Sequence, residues 1–216
     1  MPYRRNYFRF VAYLFVIFCV CPATAGSYDD FFTAIKRDHR HTIEALLKEG
    51  FDPNTVDESG QPGIIAALLN ESYEAADALA ASERLQLEAV NRSGETALMM
   101  ASLRGQTGLV QRLLQRGAAV NRLGWSPLHY AATAPDEAPM KLLLAHGAAV
   151  DARSPNGTTP LMMAADHGPS LCVDLLLAAG ARVDLKNDLG LTAIDFARQR
   201  GRDRLADRLS QQLPGR

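Results

Sequence analysis

The stretch Gly124-Trp125-Ser126-Pro127-Leu128-His129-Tyr130-Ala131-Ala132 constrains this chain more than any other, because altered copies of it run through most of the 216 residues. Ser126 followed by Pro127 reads as a helix start: a hydroxyl able to accept a backbone N–H, then a ring whose missing N–H costs nothing at the first helical position. Leu128, Ala131 and Ala132 give that short helix a narrow apolar face. The same phrase returns at Gly94-Glu95-Thr96-Ala97-Leu98, Gly157-Thr158-Thr159-Pro160-Leu161 and Gly190-Leu191-Thr192-Ala193-Ile194. Self-similarity with a period of about 33 residues predicts an all-α solenoid, in which no unit buries its apolar face alone and each relies on its neighbours.

The residues between the copies repeat too. Leu46-Leu47-Lys48-Glu49-Gly50, Leu113-Leu114-Gln115-Arg116-Gly117, Leu143-Leu144-Ala145-His146-Gly147 and Leu176-Leu177-Ala178-Ala179-Gly180 each read as a second helix closed by glycine. This grammar resembles the ankyrin repeat, with its Thr-Pro-Leu-His turn, two antiparallel helices and hairpin loop, over roughly residues 29 to 209. The units expected are a capping or degenerate repeat at 26–60, a degenerate one at 61–93, repeats at 94–123, 124–156 and 157–189, and a C-terminal cap at 190–212. The polar second helix of the last unit, with Arg202, Arg204 and Arg208 around Leu205, Ala206 and Leu209, suits an outer cap.

Two units depart from the pattern. In the second, Pro62-Gly63 stands in place of Thr-Pro and Arg84 in place of the helix-ending glycine. In the fourth, only seven positions separate Gly117 from Gly124, where ten separate Gly50 from Gly60, Gly147 from Gly157 and Gly180 from Gly190. Trp125 follows this shortened loop directly, and Pro135 replaces the interhelical glycine seen at 105, 168 and 201.

Residues 1–25 fall outside the repeats. Arg4, Arg5 and Arg9 precede an apolar run from Phe10 to Cys21, and Ala23-Thr24-Ala25 offers a small-residue cleavage site before Gly26, the pattern of a secretory signal. The run is short for a membrane span, which needs about 20 residues. The expectation is an exported, periplasmic protein of bacterial type, cleaved from its leader and monomeric, with an uncleaved N-terminal anchor as the alternative; Arg4-Arg5 leaves ordinary or twin-arginine export open. The leader carries three of the 23 basic residues and no acidic one, so 20 basic residues face 24 acidic ones afterwards. No basic block remains to grip nucleic acid. Cys172, the one cysteine beyond the leader, sits in a helical leucine run and reads as a small core residue.

No catalytic constellation, phosphate loop, zinc spacing or cofactor motif is visible. Met99-Met100 and Met162-Met163 recur at one repeat position and read as core filler rather than ligands. His129 occupies the repeat's Leu-His position, where the resemblance implies a structural hydrogen bond. The resemblance also implies a protein partner on the concave face of loop tips and first helices. The residues it carries there are Arg92, Glu95, Leu103, Arg104, Arg122, Leu123, Trp125, Asn156, Asp166, His167 and Leu191, with Trp125 and its neighbouring arginines the expected centre. Trp125 packed against Leu123 or Tyr130, filling the space of the cut loop, is the competing expectation. The function expected is non-enzymatic protein binding. A stabilising factor for an exported enzyme is the first alternative, and an enzyme or small-ligand carrier the second.

Overall fold

A computed structural model describes residues 23–213, and within them the chain is a row of helix pairs with two isolated β-bridges, Val56–Pro62 and Val90–Thr96. The leader reading therefore lies almost wholly outside the described residues. The pairs are α1 (Ala23–Lys36) with α2 (Arg40–Lys48), α3 (Gly63–Leu69) with α4 (Tyr73–Ala81), and α5 (Ala97–Leu103) with α6 (Thr107–Gln115). They continue as α7 (Pro127–Ala131) with α8 (Ala138–Ala145), α9 (Pro160–Asp166) with α10 (Ser170–Ala178), and α11 (Ala193–Gln199) with α12 (Asp203–Ser210). Each first helix packs on the next first helix, and α2, α4, α6 and α8 follow one another in a second row. None of these helices is long and apolar enough to cross a membrane.

One device starts most first helices. The residue three places into the helix turns its side chain back onto the N-cap N–H, satisfying a donor the helix cannot. Thr96 N–H reaches Met99 Sδ at 3.5 Å and Thr159 N–H reaches Met162 Sδ at 3.4 Å. Thr192 N–H donates to Asp195 Oδ2 at 2.8 Å, and Ser126 N–H to His129 Nδ1 at 3.1 Å. The N-cap of helix α3 is Pro62, which has no N–H to satisfy, and Ile65, at the equivalent place, has no acceptor to offer. The degenerate start is therefore self-consistent.

The core is continuous through the stack. Ile64, Leu68, Leu98, Leu128, Leu161, Val110, Leu113, Leu143, Val173 and Leu176 are all nearly or fully excluded from solvent. Cys172 is buried among them, and burial pushes its thiol up to about 11. Met99, Met100 and Met162 are buried as core filler, whereas Met163 is only half-buried.

Helix ends show where sequence and structure part. The first helix runs from Ala23, ahead of the start of the repeat pattern near residue 29, so the expected cleavage point after Ala25 falls within α1. Gly168 was read as a loop glycine like Gly105 and Gly201, which have φ of 68° and 67°, but its own φ is not left-handed. A Cβ there would lie 2.1 Å from the Ala132 carbonyl oxygen, so closeness between neighbouring units requires this glycine. Arg84, in the place of a helix-ending glycine, donates to the carbonyls of Leu47 at 3.1 Å, Gly50 at 3.2 Å and Phe51 at 2.8 Å. It finishes the end of α2, one unit earlier. Arg116 does the same for the end of α4, through Ala80 O at 2.6 Å and Glu83 O at 3.3 Å.

Candidate functional site

The fourth residues of α5, α7, α9 and α11 form a column of large side chains, Met100, Tyr130, Met163 and Phe196. In the middle of this column lies a mostly apolar cleft of about 230 Å³ lined by Leu103, Trp125, His129, Tyr130, Thr133 and Met163. It spans three successive units: Leu103 ends α5, Trp125 precedes α7 in the shortened loop, and Met163 comes from α9.

Its walls are held by hydrogen bonds to residues outside it. His129 is fully buried; its Nδ1 accepts the Ser126 N–H, with the Ser126 hydroxyl 2.8 Å away, and this places the proton of the neutral ring on Nε2. Nε2 lies 3.0 Å from the Thr158 carbonyl in the next unit and donates to it. Burial drives the His129 pKa down, because the imidazolium would lose its hydration. Tyr130 Oη donates to Glu95 Oε1 at 2.9 Å, and Asn91 holds the other carboxylate oxygen at 2.7 Å. Burial, then the Glu95 carboxylate, raises the Tyr130 pKa well above the usual phenol range. The Trp125 ring stands edge-on to His129, with centroids 5.2 Å apart and planes at 78°.

Leu103 and Trp125 are the two expected site residues that the fold brings into one cleft, with Glu95 one hydrogen bond behind it. Trp125 meets His129 and Tyr130, while Leu123 is fully exposed at the loop tip. The arginines expected around Trp125 are engaged elsewhere: Arg104 pairs with Glu71 at 3.2 Å and Arg122 with Glu88 at 3.4 Å. Arg92 is exposed at its own tip. Asn156 is exposed and its carbonyl accepts the Asp188 N–H at 3.0 Å, so adjacent tips are joined there. Half-buried Leu191 is held through its backbone by Asn187. Asp166 lies between His167 and Arg200 at the end of α9.

Met163 and Tyr130 were absent from the expected site. Their shared helical position was the available signal, but Met100 at that position is buried, whereas Tyr130, Met163 and Phe196 are half-buried. Among the described residues, no group of three or more His, Cys, Asp and Glu side chains is placed to hold a metal ion. The cleft offers the half-buried rings of Trp125 and Tyr130, the apolar side chains of Leu103 and Met163 and one threonine hydroxyl. That is a surface for burying another molecule's apolar group.

A helix-pair solenoid with a shallow apolar cleft across its first helices is the architecture of a recognition scaffold. A family model described as ankyrin repeats (3 copies) matches residues 31–123 and again residues 108–187. The chain belongs to the ankyrin-repeat family, which is in general a non-enzymatic interaction domain.

Similar proteins include the rat (Rattus norvegicus) ankyrin repeat and SAM domain-containing protein 6, 33% identical over 134 residues, or 60% of this chain and 15% of that protein. The mouse (Mus musculus) B-cell lymphoma 3 protein homolog is 34% identical over 126 residues, 55% of this chain and 28% of its own length. The chain thus spans less than a third of either relative. Among solved structures, it is similar to a chain in the complex of the predatory endopeptidase Bd0816 from Bdellovibrio bacteriovorus with immunity protein Bd3460. The TM-score is 0.70 at 26% identity, covering 85% of this chain and 97% of that one.

Proposed function

We propose that this protein is an exported, monomeric, non-enzymatic binding module that takes a protein partner on its first-helix face, around the Trp125 cleft. The observation carrying this reading is the convergence of Leu103, Trp125 and Met163 from three units on one apolar cleft. At about 230 Å³ it falls below the roughly 300–1,000 Å³ of small-molecule sites and suits one large side chain of a partner. Export is supported by the basic, apolar and small-residue order of residues 1–25.

The solved complex favours a second, narrower reading: the partner is itself an exported enzyme, which this protein masks or stabilises. The test is crosslinking and affinity capture from the protein's own exported fraction, with Trp125→Ala alongside. Removal of this anchor should weaken the specific partner by about 2 kcal/mol while the urea midpoint stays near the parent's. Equal capture by both proteins would move the interface off the cleft. A captured hydrolase whose turnover changes on adding the protein would select the narrower reading.

A further inference from the structure

The ties between units are not uniform along the stack. Toward the N-terminus, Asp77 of α4 receives Arg112 of α6 at 2.9 Å and Arg40 of α2 at 2.9 Å, and Glu71 receives Arg104 at 3.2 Å. Toward the C-terminus, Asp174 of α10 receives Arg208 of α12 at 2.8 Å, and Asp166 receives Arg200. In the repeat register, Asp77–Arg112 and Asp174–Arg208 are the same pair of positions, counted from the buried Leu79, Leu113, Leu176 and Leu209 that follow. At the two central steps those positions hold Gln111 facing Leu142 and Lys141 facing Leu175. Lys141 is bound instead to the N-cap of its own helix, Glu137, at 3.0 Å. Among the described residues, no ion pair links α8 to α6 or to α10.

The other edge of the same unit is well tied. Tyr130–Glu95 and His129–Thr158 join α7 to both neighbours, and Asn121 binds Gly147 O at 2.9 Å and Ala149 N–H at 2.7 Å along the loops. Helix α7 has five residues where α3, α5, α9 and α11 have seven, and irregular chain through Pro135 separates it from α8. One unit is therefore pinned along its loop and first-helix edge and carries no ionic tie along its second-helix edge.

We propose that the α7–α8 unit is the joint of the stack: α8 opens about the pinned first-helix edge, and the ion-paired blocks α1–α6 and α9–α12 pivot relative to each other through it. The cleft straddles this joint, with Leu103 on one block, Met163 on the other and Trp125 between them, so its width follows the pivot angle.

Hydrogen exchange of the full-length chain, read by mass spectrometry at low and high salt, tests this. Without the two ionic ties of each flanking step, α8 amides are expected to exchange roughly fivefold faster than those of α4 and α10 at low salt. At about 1 M salt the ties are screened and the gap closes, because α4 and α10 speed up while α8 barely changes. Equal protection of α8, α4 and α10 at low salt would overturn the proposal, as would a gap indifferent to salt. Gln111→Asp with Leu142→Arg installs the missing pair and should slow α8 exchange at low salt only. If that variant does not fold, the salt series on the parent chain still decides.

Discussion

Replacing His129 tests how the central unit is held. In His129→Ala, the buried Ser126 N–H loses its acceptor, at about 1–3 kcal/mol. Loss of the fully buried ring leaves a cavity costing about 2 kcal/mol and removes the bond to Thr158 for about 1 kcal/mol more, so the total is about 4–6 kcal/mol. His129→Met is the informative control, because methionine sulfur already accepts the N-cap N–H at Met99 and Met162. It keeps that acceptor and most of the volume and loses the bond to Thr158, which also accepts the Ser154 N–H, so about 1 kcal/mol should go.

The two variants also differ from the parent in pH dependence. A histidine whose folded pKa is depressed takes up its proton more readily in the unfolded chain. Its contribution is complete above the ordinary pKa near 6.5 and is lost as the pH falls below it. The other four histidines, His39, His41, His146 and His167, are exposed and remain in both variants. Urea unfolding at several pH values between 5 and 8 should show parent stability falling below about pH 6.5, with much of that fall absent in either variant. A methionine variant as damaged as the alanine one would refute the capping role. An unchanged pH slope would refute the buried neutral imidazole.

Three further outcomes follow from the packing. Gly168→Ala should destabilise by about 3 kcal/mol, since the new methyl meets the Ala132 carbonyl and the Ala164 backbone, and thermal unfolding would register it. Asp77→Ala removes the shared partner of Arg40 and Arg112; because these pairs are partly exposed, the loss should be about 1 kcal/mol at low salt and vanish near 1 M, by urea titration in both buffers. The Cys172 thiol, buried and pushed up to about 11, should resist a maleimide in the folded chain and react on unfolding.

The order of helices was legible because the start phrase, the leucine pair and the closing glycine each report on bonds within a few residues. Partners one period away were not. Arg84 looked like a missing glycine, yet its guanidinium caps carbonyls 33 to 37 residues earlier, and nothing in its own neighbourhood records that. The methionine pairs were legible as filler, but the sulfur-to-backbone bonds that make Met99 and Met162 part of the helix start were not. Trp125 was conspicuous beside its cut loop. Which residues share its cleft was not, because Leu103 and Met163 come from the units on either side, while Leu123 two positions away stands in water.

Arg84 and Arg116 give the stack a direction. Each finishes helix ends in the unit before its own, so the carbonyls closing α2 and α4 wait for a side chain made more than 30 residues later. As the chain is made, the end of α2 stays open until Arg84 is added and the end of α4 until Arg116. A product stopped short of Arg84 would carry α2 with its carboxyl end open, and one stopped between Arg84 and Arg116 would carry α4 the same way, each with a frayed last turn for a protease to grip.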